Sequence, residues 1–318
     1  SVAVGAALCA GLVGGLVAPS WAASPGDDGG DAQLGSFALG DGLDGTIGEV
    51  DGSFGFTIAA GGLQLAWDSR AASADALRLG RGWSFGLARV RVAGGVWVHP
   101  ASGGAFQMAT SSPSGLAGYE GGDVVFAAAE PGAVVPARAD GTVGEAPYAY
   151  VLHELGGSAT YFDAAGNPVA RLVEGGDRLD WTWEAGSGRL LAVVTPDGSV
   201  TSLDWSDPSR LVITPGSNVT DPVEGSGAGG RWQVELDGAR VSSVAGPDGS
   251  TTRIGYTGSG LVARVSAPSG ASTHVQWRAS SDAVARVERV RLVDDASGIP
   301  LSEREWGVQG EVAPSGWP

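Results

Sequence analysis

Along most of this chain apolar side chains fall at every second position in short runs, and glycine-containing turns separate the runs. A period of two puts alternate side chains on opposite faces of a β-strand. Three stretches superpose without a gap: residues 189–205 (RLLAVVTPDGSVTSLDW), 240–256 (RVSSVAGPDGSTTRIGY) and 261–277 (LVARVSAPSGASTHVQW). Each runs from alternating Val/Leu through a turn and Thr/Ser alternation to a closing aromatic. The turns are Pro196-Asp197-Gly198, Pro247-Asp248-Gly249 and Pro268-Ser269-Gly270. Pro fixes φ, Asp bonds to nearby backbone and Gly accepts positive φ, so this is hairpin-turn chemistry, and Asp197 and Asp248 are assigned to turns rather than to catalysis. The closing rings are Trp205, Tyr256 and Trp277, and the same role is assigned to Tyr161, Trp183 and Trp306. A fixed repeat of roughly twenty residues predicts stacked hairpins, because one hairpin alone cannot bury its apolar face.

The same pattern extends upstream. Phe54, Phe56 and Ile58 alternate, then Leu63, Leu65 and Trp67, with 59–62 as the turn between. Val90 and Val92, then Val96 and Val98, flank Ala93-Gly94-Gly95, a second hairpin signal. Residues 123–127 and 148–152 are further short strands, and 71–79 reach one helical turn at most. Leu179, Trp181 and Trp183 share one strand face, with Asp180 and Thr182 on the other. A polar Gly/Ser/Pro stretch at 207–230 interrupts the array, and 284–306 form a degenerate unit closing on Trp306. The expectation is an all-β protein: an array of antiparallel β-hairpins forming a curved continuous sheet. Residues 1–23 are assigned to a signal peptide, 24–53 to a Gly/Asp-rich linker, 54–160 to a β-rich segment preceding the repeats, and 161–318 to the hairpin repeats.

Composition narrows the partners. Of 318 residues 54 are glycine and 43% are hydrophobic, with no three-residue glycine period, which excludes collagen and a mainly disordered chain. The net charge of -16 and pI near 4.4 disfavour nucleic acid and anionic membranes. All 19 basic residues are arginine. Residues 1–17 are apolar and Gly/Ala-rich, and Ser20 and Ala22 fit the small positions of a signal-peptidase site, so a secreted or cell-surface protein is expected. An uncleaved anchor at this segment is the alternative, and the only expected membrane contact. Cys9, the sole cysteine, lies in the apolar run, so the mature chain holds no disulfide.

Several of these residues together resemble the RHS/YD-repeat proteins. The repeat part matches in Tyr161-Phe162-Asp163-Ala164-Ala165-Gly166-Asn167, in Gly188-Arg189-Leu190 and in the Pro-Asp-Gly turns with their closing aromatics. The upstream part matches in Phe56-Thr57-Ile58, in Leu63-Gln64-Leu65-Ala66-Trp67-Asp68-Ser69-Arg70 and in Leu79-Gly80-Arg81-Gly82-Trp83-Ser84-Phe85-Gly86-Leu87. The resemblance covers about 54–306. It implies a secreted or surface protein whose strand ribbon coils into a hollow shell, which in polymorphic toxins and insecticidal toxin complexes encloses a C-terminal toxin. The implied partners are downstream repeats and a C-terminal toxin of the same polypeptide. The family's self-cleaving aspartyl site belongs to a terminal core that is not matched here. The chain is therefore expected to be the N-terminal part of a longer protein or a short family member.

Other residues match patterns of site chemistry only in part. Gly82-Trp83-Ser84-Phe85-Gly86 spells the Gly-x-Ser-x-Gly of a nucleophile elbow, which needs a buried strand before it and a helix after it. Its flanks supply neither, so Ser84 is assigned to an aromatic turn. His99, His153 and His274 show no metal-ligand spacing. Asp41, Asp44, Glu49 and Asp51 match no calcium-loop pattern. No catalytic, cofactor-binding or metal residue is expected, and no cofactor. Trp67, Trp83, Trp97, Trp181, Trp183, Trp205, Trp232 and Trp277, if exposed, are stacking faces for sugars, with Asp180 and Asp204 as hydroxyl acceptors. The leading expectation is a non-enzymatic structural module. The alternative is a carbohydrate- or cell-surface-binding module that uses exposed tryptophans. The third is a secreted hydrolase using Ser84 or a carboxylate pair.

Overall fold

The computed structural model describes residues 34–38, 44–48, 53–69, 79–99, 106–119, 123–216, 230–238, 240–278 and 286–305. The expected signal peptide lies outside them. Every regular element among the described residues is a β-strand. Strands β1 (Leu34–Ala38), β2 (Asp44–Gly48), β3 (Phe54–Ala60), β4 (Leu63–Asp68) and β5 (Trp83–Ser84) form an antiparallel meander in chain order. A second, three-stranded meander holds β6 (Arg89–Val92), β7 (Val96–His99) and β8 (Phe106–Gln107). After β9 (Val124–Ala128), the short strands β10 (Val134–Val135) and β11 (Ala146–Pro147) pair with each other.

The rest is one ribbon. It comprises β12 (Tyr150–Glu154), β13 (Ala159–Phe162), β14 (Pro168–Leu172), β15 (Arg178–Trp183), β16 (Leu190–Val194), β17 (Val200–Asp207) and β18 (Arg210–Thr214). It continues through β19 (Trp232–Leu236), β20 (Val241–Ala245), β21 (Thr251–Tyr256), β22 (Val262–Ser266), β23 (Ala271–Arg278), β24 (Arg286–Asp294) and β25 (Pro300–Glu305). With β9 against β12, these make an open sheet of 15 strands, in which from β12 onward each strand is hydrogen-bonded to its neighbours in the chain. The three superposable stretches are the hairpins β16–β17, β20–β21 and β22–β23.

Three boundaries differ from the sequence expectation. Two strands, LGSFA and DGTIG, lie in the stretch expected to be a linker. They hold too few apolar positions to show a period, and pairing of β2 with the strongly alternating β3 selects them. The expected division at 160/161 falls inside β13, and the ribbon already begins at β9. The stretch at 207–230 does not break the array: β18 lies within it and pairs with both β17 and β19.

The upstream meanders cover one face of the ribbon. Along β3 and β4 every second side chain is buried, from Phe54 to Trp67. Phe54, Leu65 and Leu79 share a core with Leu190, Leu211, Ile213, Val234 and Val262, none of which is exposed. Each such side chain contributes about 1.5–3 kcal/mol on burial. The β3–β4 turn at Gly61 presses against Ile213, Pro215 and Trp232, where an added Cβ would lie 2.9–3.3 Å away. A second core joins Val90, Val98 and Leu116 to Phe126, Leu152 and Phe162. There the backbones touch: Val90 N–H donates to Gly166 O at 2.8 Å, and Gly166 has φ of +85°.

A Cβ on Gly166 would sit 1.7 Å from Val90 O. Gly166→Ala should therefore cost about 4 kcal/mol in urea unfolding, against about 1–2 kcal/mol for Gly175→Ala. Gly175 also has positive φ but meets nothing within 4 Å. Equal losses at the two positions would contradict the close backbone approach.

Candidate functional site

The repeated turn is a three-residue hairpin loop. Thr195 N–H donates to Ser199 O at 3.0 Å and Gly198 N–H to Thr195 O at 2.9 Å. Gly246 and Ser250 repeat this around Pro247-Asp248-Gly249, at 2.8 and 3.1 Å, and Ala267 and Ala271 around Pro268-Ser269-Gly270, at 2.8 and 3.2 Å. Gly198, Gly249 and Gly270 have φ of 82°, 83° and 87°. The Asp197 carboxylate accepts from Thr195 Oγ1 and from Ser199 N–H at 3.1 Å; Asp248 accepts from Ser250 N–H at 3.0 Å and Oγ at 2.6 Å. Those hydroxyl and amide donors hold both carboxyls below the usual range.

The closing aromatics obey one geometric rule. Trp183 Nε1 donates to Pro168 O at 2.6 Å, Trp205 Nε1 to Leu190 O at 2.8 Å, and Trp277 Nε1 to Val262 O at 2.7 Å. Tyr256 Oη donates to Val241 O at 2.5 Å. The separation is 15 residues in all four, and the acceptor is always the first residue of the preceding strand. The polar tip of each ring caps its own hairpin's opening carbonyl. On the other side of each ring the register with the next strand shifts, at Thr182/Trp183, Asp204/Asp207, Gly255/Tyr256 and Gln276/Trp277. Such bulges add local twist at a regular interval. Arg189 lies over the Trp205 ring at 5.5 Å and Arg240 over Tyr256 at 5.7 Å, so the first residue of a unit covers its last.

These rings also receive the upstream meander. Phe54 and Trp67 meet Trp277 edge-on at 6.3 and 6.2 Å, and Phe85 meets Trp205 at 6.5 Å. Trp83 Nε1 donates to Tyr256 Oη at 2.8 Å, so one phenol links the meander to the Val241 carbonyl. Burial pushes the Tyr256 phenol up to about 12, with the Trp83 indole and Arg240 acting in the opposite direction.

Several assigned residues fall elsewhere. The ring in step with the others is Phe162, fully buried at a bulge between Tyr161 and Phe162. Tyr161 points to the opposite face, against Tyr148 at 4.8 Å; a one-residue slip on a strand exchanges faces. Trp306 lies outside the described residues. Asp180 is not a sugar acceptor: it is 1% exposed, bound by Arg138 Nη1 at 3.1 Å and by Arg178 Nη2 at 2.6 Å. Arg138 also donates to Pro196 O at 3.0 Å, and Arg178 to Pro136 O at 2.6 Å. This clasp fastens the loop between β10 and β11 to the ribbon face opposite the core. Sequence patterning did not single out either arginine. Asp204 accepts from Ser206 N–H at 2.9 Å.

Of the eight described tryptophans Trp67, Trp83, Trp181 and Trp205 are buried and Trp97, Trp183, Trp232 and Trp277 half-buried, so no fully exposed stacking face is among them. Ser84 Oγ accepts from Gly86 N–H at 3.2 Å, and the strand after it is β6, not a helix. Of the acidic cluster only Asp44 is described, at the start of β2.

No family model and no curated protein matches the sequence. Solved structures similar to it include a Photorhabdus luminescens Tc holotoxin pore (12% identity, TM-score 0.21, 83% of this chain and 17% of that chain). Another is the TcdB2-TccC3-TEV structure (10%, 0.20, 82% and 16%). A third is a porin-like protein from Bacteroides uniformis (8%, 0.27, 85% and 91%). The chain spans about a sixth of the two toxin chains it matches. Likeness at these scores carries no functional weight.

Two outcomes follow from the cap and the clasp. Because the Tyr256 phenol is raised from 10 to about 12, its contribution is intact below pH 10 and is lost as pH rises through 12. Stability should fall by about 2–3 kcal/mol over that window, and Tyr256→Phe should remove most of the slope in urea midpoints measured from pH 9 to 12. Asp180→Ala leaves two guanidinium groups without their buried partner and should cost about 3–5 kcal/mol; a loss below 1 kcal/mol would mean the clasp is superficial.

Proposed function

We propose that this chain is a non-enzymatic structural part of a secreted RHS-type repeat protein. Its ribbon is a section of the wall of a shell that encloses or presents a C-terminal toxin or effector of the same polypeptide. The observation that carries this reading is the recurrent cap: four hairpins bind the polar tip of their closing ring to the carbonyl 15 residues earlier, with a bulge beside each ring. A device repeated in four hairpins serves extension of a sheet, whereas a catalytic site needs unlike groups brought to one place.

Two further features support it. The apolar face of this section is occupied by β3 to β5, so here the ribbon is sealed by its own upstream segment and room for a cargo would lie further along. The two ends of the ribbon also differ. At β9, Phe126 N–H donates to Ser114 O at 2.8 Å, which caps that edge, whereas β25 pairs only with β24 among the described residues. The edge strand of a sheet is a template for pairing with a further strand.

Cryo-electron microscopy of the complete product of the gene tests the reading. The expected image is a ribbon that continues from β25 and closes around a cavity holding polypeptide. A ribbon that ends at β25, with no enclosed volume, would overturn it.

A further inference from the structure

The outer face of the last four strands carries an arrangement that the shell reading does not use. Arg264 on β22 stands directly opposite His274 on β23, which stands opposite Arg291 on β24, which stands opposite Glu303 on β25. Directly opposed side chains on one face have Cβ atoms about 5 Å apart, and like charges so placed repel. The two ends of the row are compensated. Asp295 binds Arg264 Nη2 at 2.7 Å, and Glu303 binds Arg291 at 3.0 Å and Arg289 at 3.1 Å. At the centre stands exposed His274, flanked by two arginines. A groove of about 360 Å³ opens there, lined by His274, Gln276, Arg289, Arg291, Gly298 and Pro300 among others. The charge of this region departs from that of the whole chain. Residues 251–305 hold seven arginines against six carboxylates, a net of +1, in a chain of net -16.

We infer that this groove is a binding site for a tetrahedral oxyanion, a sulfate or phosphate group, held by His274, Arg289 and Arg291 with the Gln276 amide at its edge. His274 on β23 and Arg289 and Arg291 on β24 line the groove from two adjacent strands, which suits a compact anion with several acceptor oxygens. In the free protein burial first, then Arg264 and Arg291, lower the His274 pKa, with Asp295 opposing them. An anion in the groove reverses that balance and protonates the imidazole. Binding therefore takes up a proton and tightens as the pH falls.

The chain has only three histidines, so proton NMR resolves each imidazole. Inorganic sulfate is the probe, because its charge does not change between pH 5 and 8, with ionic strength held constant by chloride. The expected result is a saturable shift of the His274 signal and a rise of about one unit in its pKa, with His99 and His153 unchanged. Arg289→Gln and Arg291→Gln should each weaken sulfate about tenfold with far-ultraviolet circular dichroism unchanged. Glu303→Gln, which releases Arg289 and Arg291 from their carboxylate, should tighten it several-fold. A His274 pKa indifferent to sulfate, or the same response in Arg291→Gln, would overturn the site. Competition by a sulfated oligosaccharide would assign the group to a glycan ester, and competition by inorganic phosphate alone to a soluble anion.

Discussion

The bond from the closing ring to the first carbonyl of its own hairpin is the constraint on which the rest of this structure depends. An indole N–H carried into an apolar core without a partner costs several kcal/mol, so the ring is buried only where an acceptor waits. In this ribbon the acceptor is the carbonyl at the mouth of the hairpin, just beyond the last ladder pair. Meeting it requires the strand to shift by one residue, and the bulge beside each ring is that shift. A single side chain thus ties three properties together: the length of the hairpin, the register with the next strand, and the direction of the ring. Since the direction is constant, the rings of these four hairpins lie on one apolar face.

That face is what the upstream segment folds onto. Phe54 and Trp67 lodge against Trp277, Phe85 against Trp205, and Trp83 bonds to the phenol of Tyr256. The segment also grips the opposite face, through Arg138 and its partners Asp180 and Pro196 O. Held by these contacts, on both faces at β15 and on one face as far as β23, the hairpins lose the independence that repeat arrays often show. The consequence is cooperative unfolding of upstream segment and repeats together, and a rigid wall section rather than a string of hinged units.

Much of this was legible in the sequence, and for identifiable reasons. Alternation marked β3, β4, β6, β7 and the repeat hairpins, because one face of each is buried and the other is not. The Pro-Asp-Gly turns were legible because each residue type has one job there. The caps were half legible: the superposed units start at Arg189 and Arg240 and end at Trp205 and Tyr256, and those residues touch in space. What the pattern did not reveal was the face of the first ring. With two aromatics side by side at Tyr161-Phe162, only the bulge decides which turns inward. The role of Asp180 was hidden for a different reason. Its alternation with Leu179 and Trp181 marks it as outward, but an outward Asp is normally solvated, and Arg138, which covers it, lies 42 residues away in the chain. Strands β1 and β2 were missed because their pairing is imposed by a neighbour and not by their own apolar period.

The central claim is tested most directly by hydrogen exchange at the indole nitrogens, followed by NMR with nitrogen-15 labelled tryptophan. If the caps organise the ribbon, the Nε1 protons of Trp183, Trp205 and Trp277 exchange together, only on global unfolding, and Trp83 exchanges with them through Tyr256. Exchange of these protons within minutes at neutral pH, or at three unrelated rates, would contradict the account.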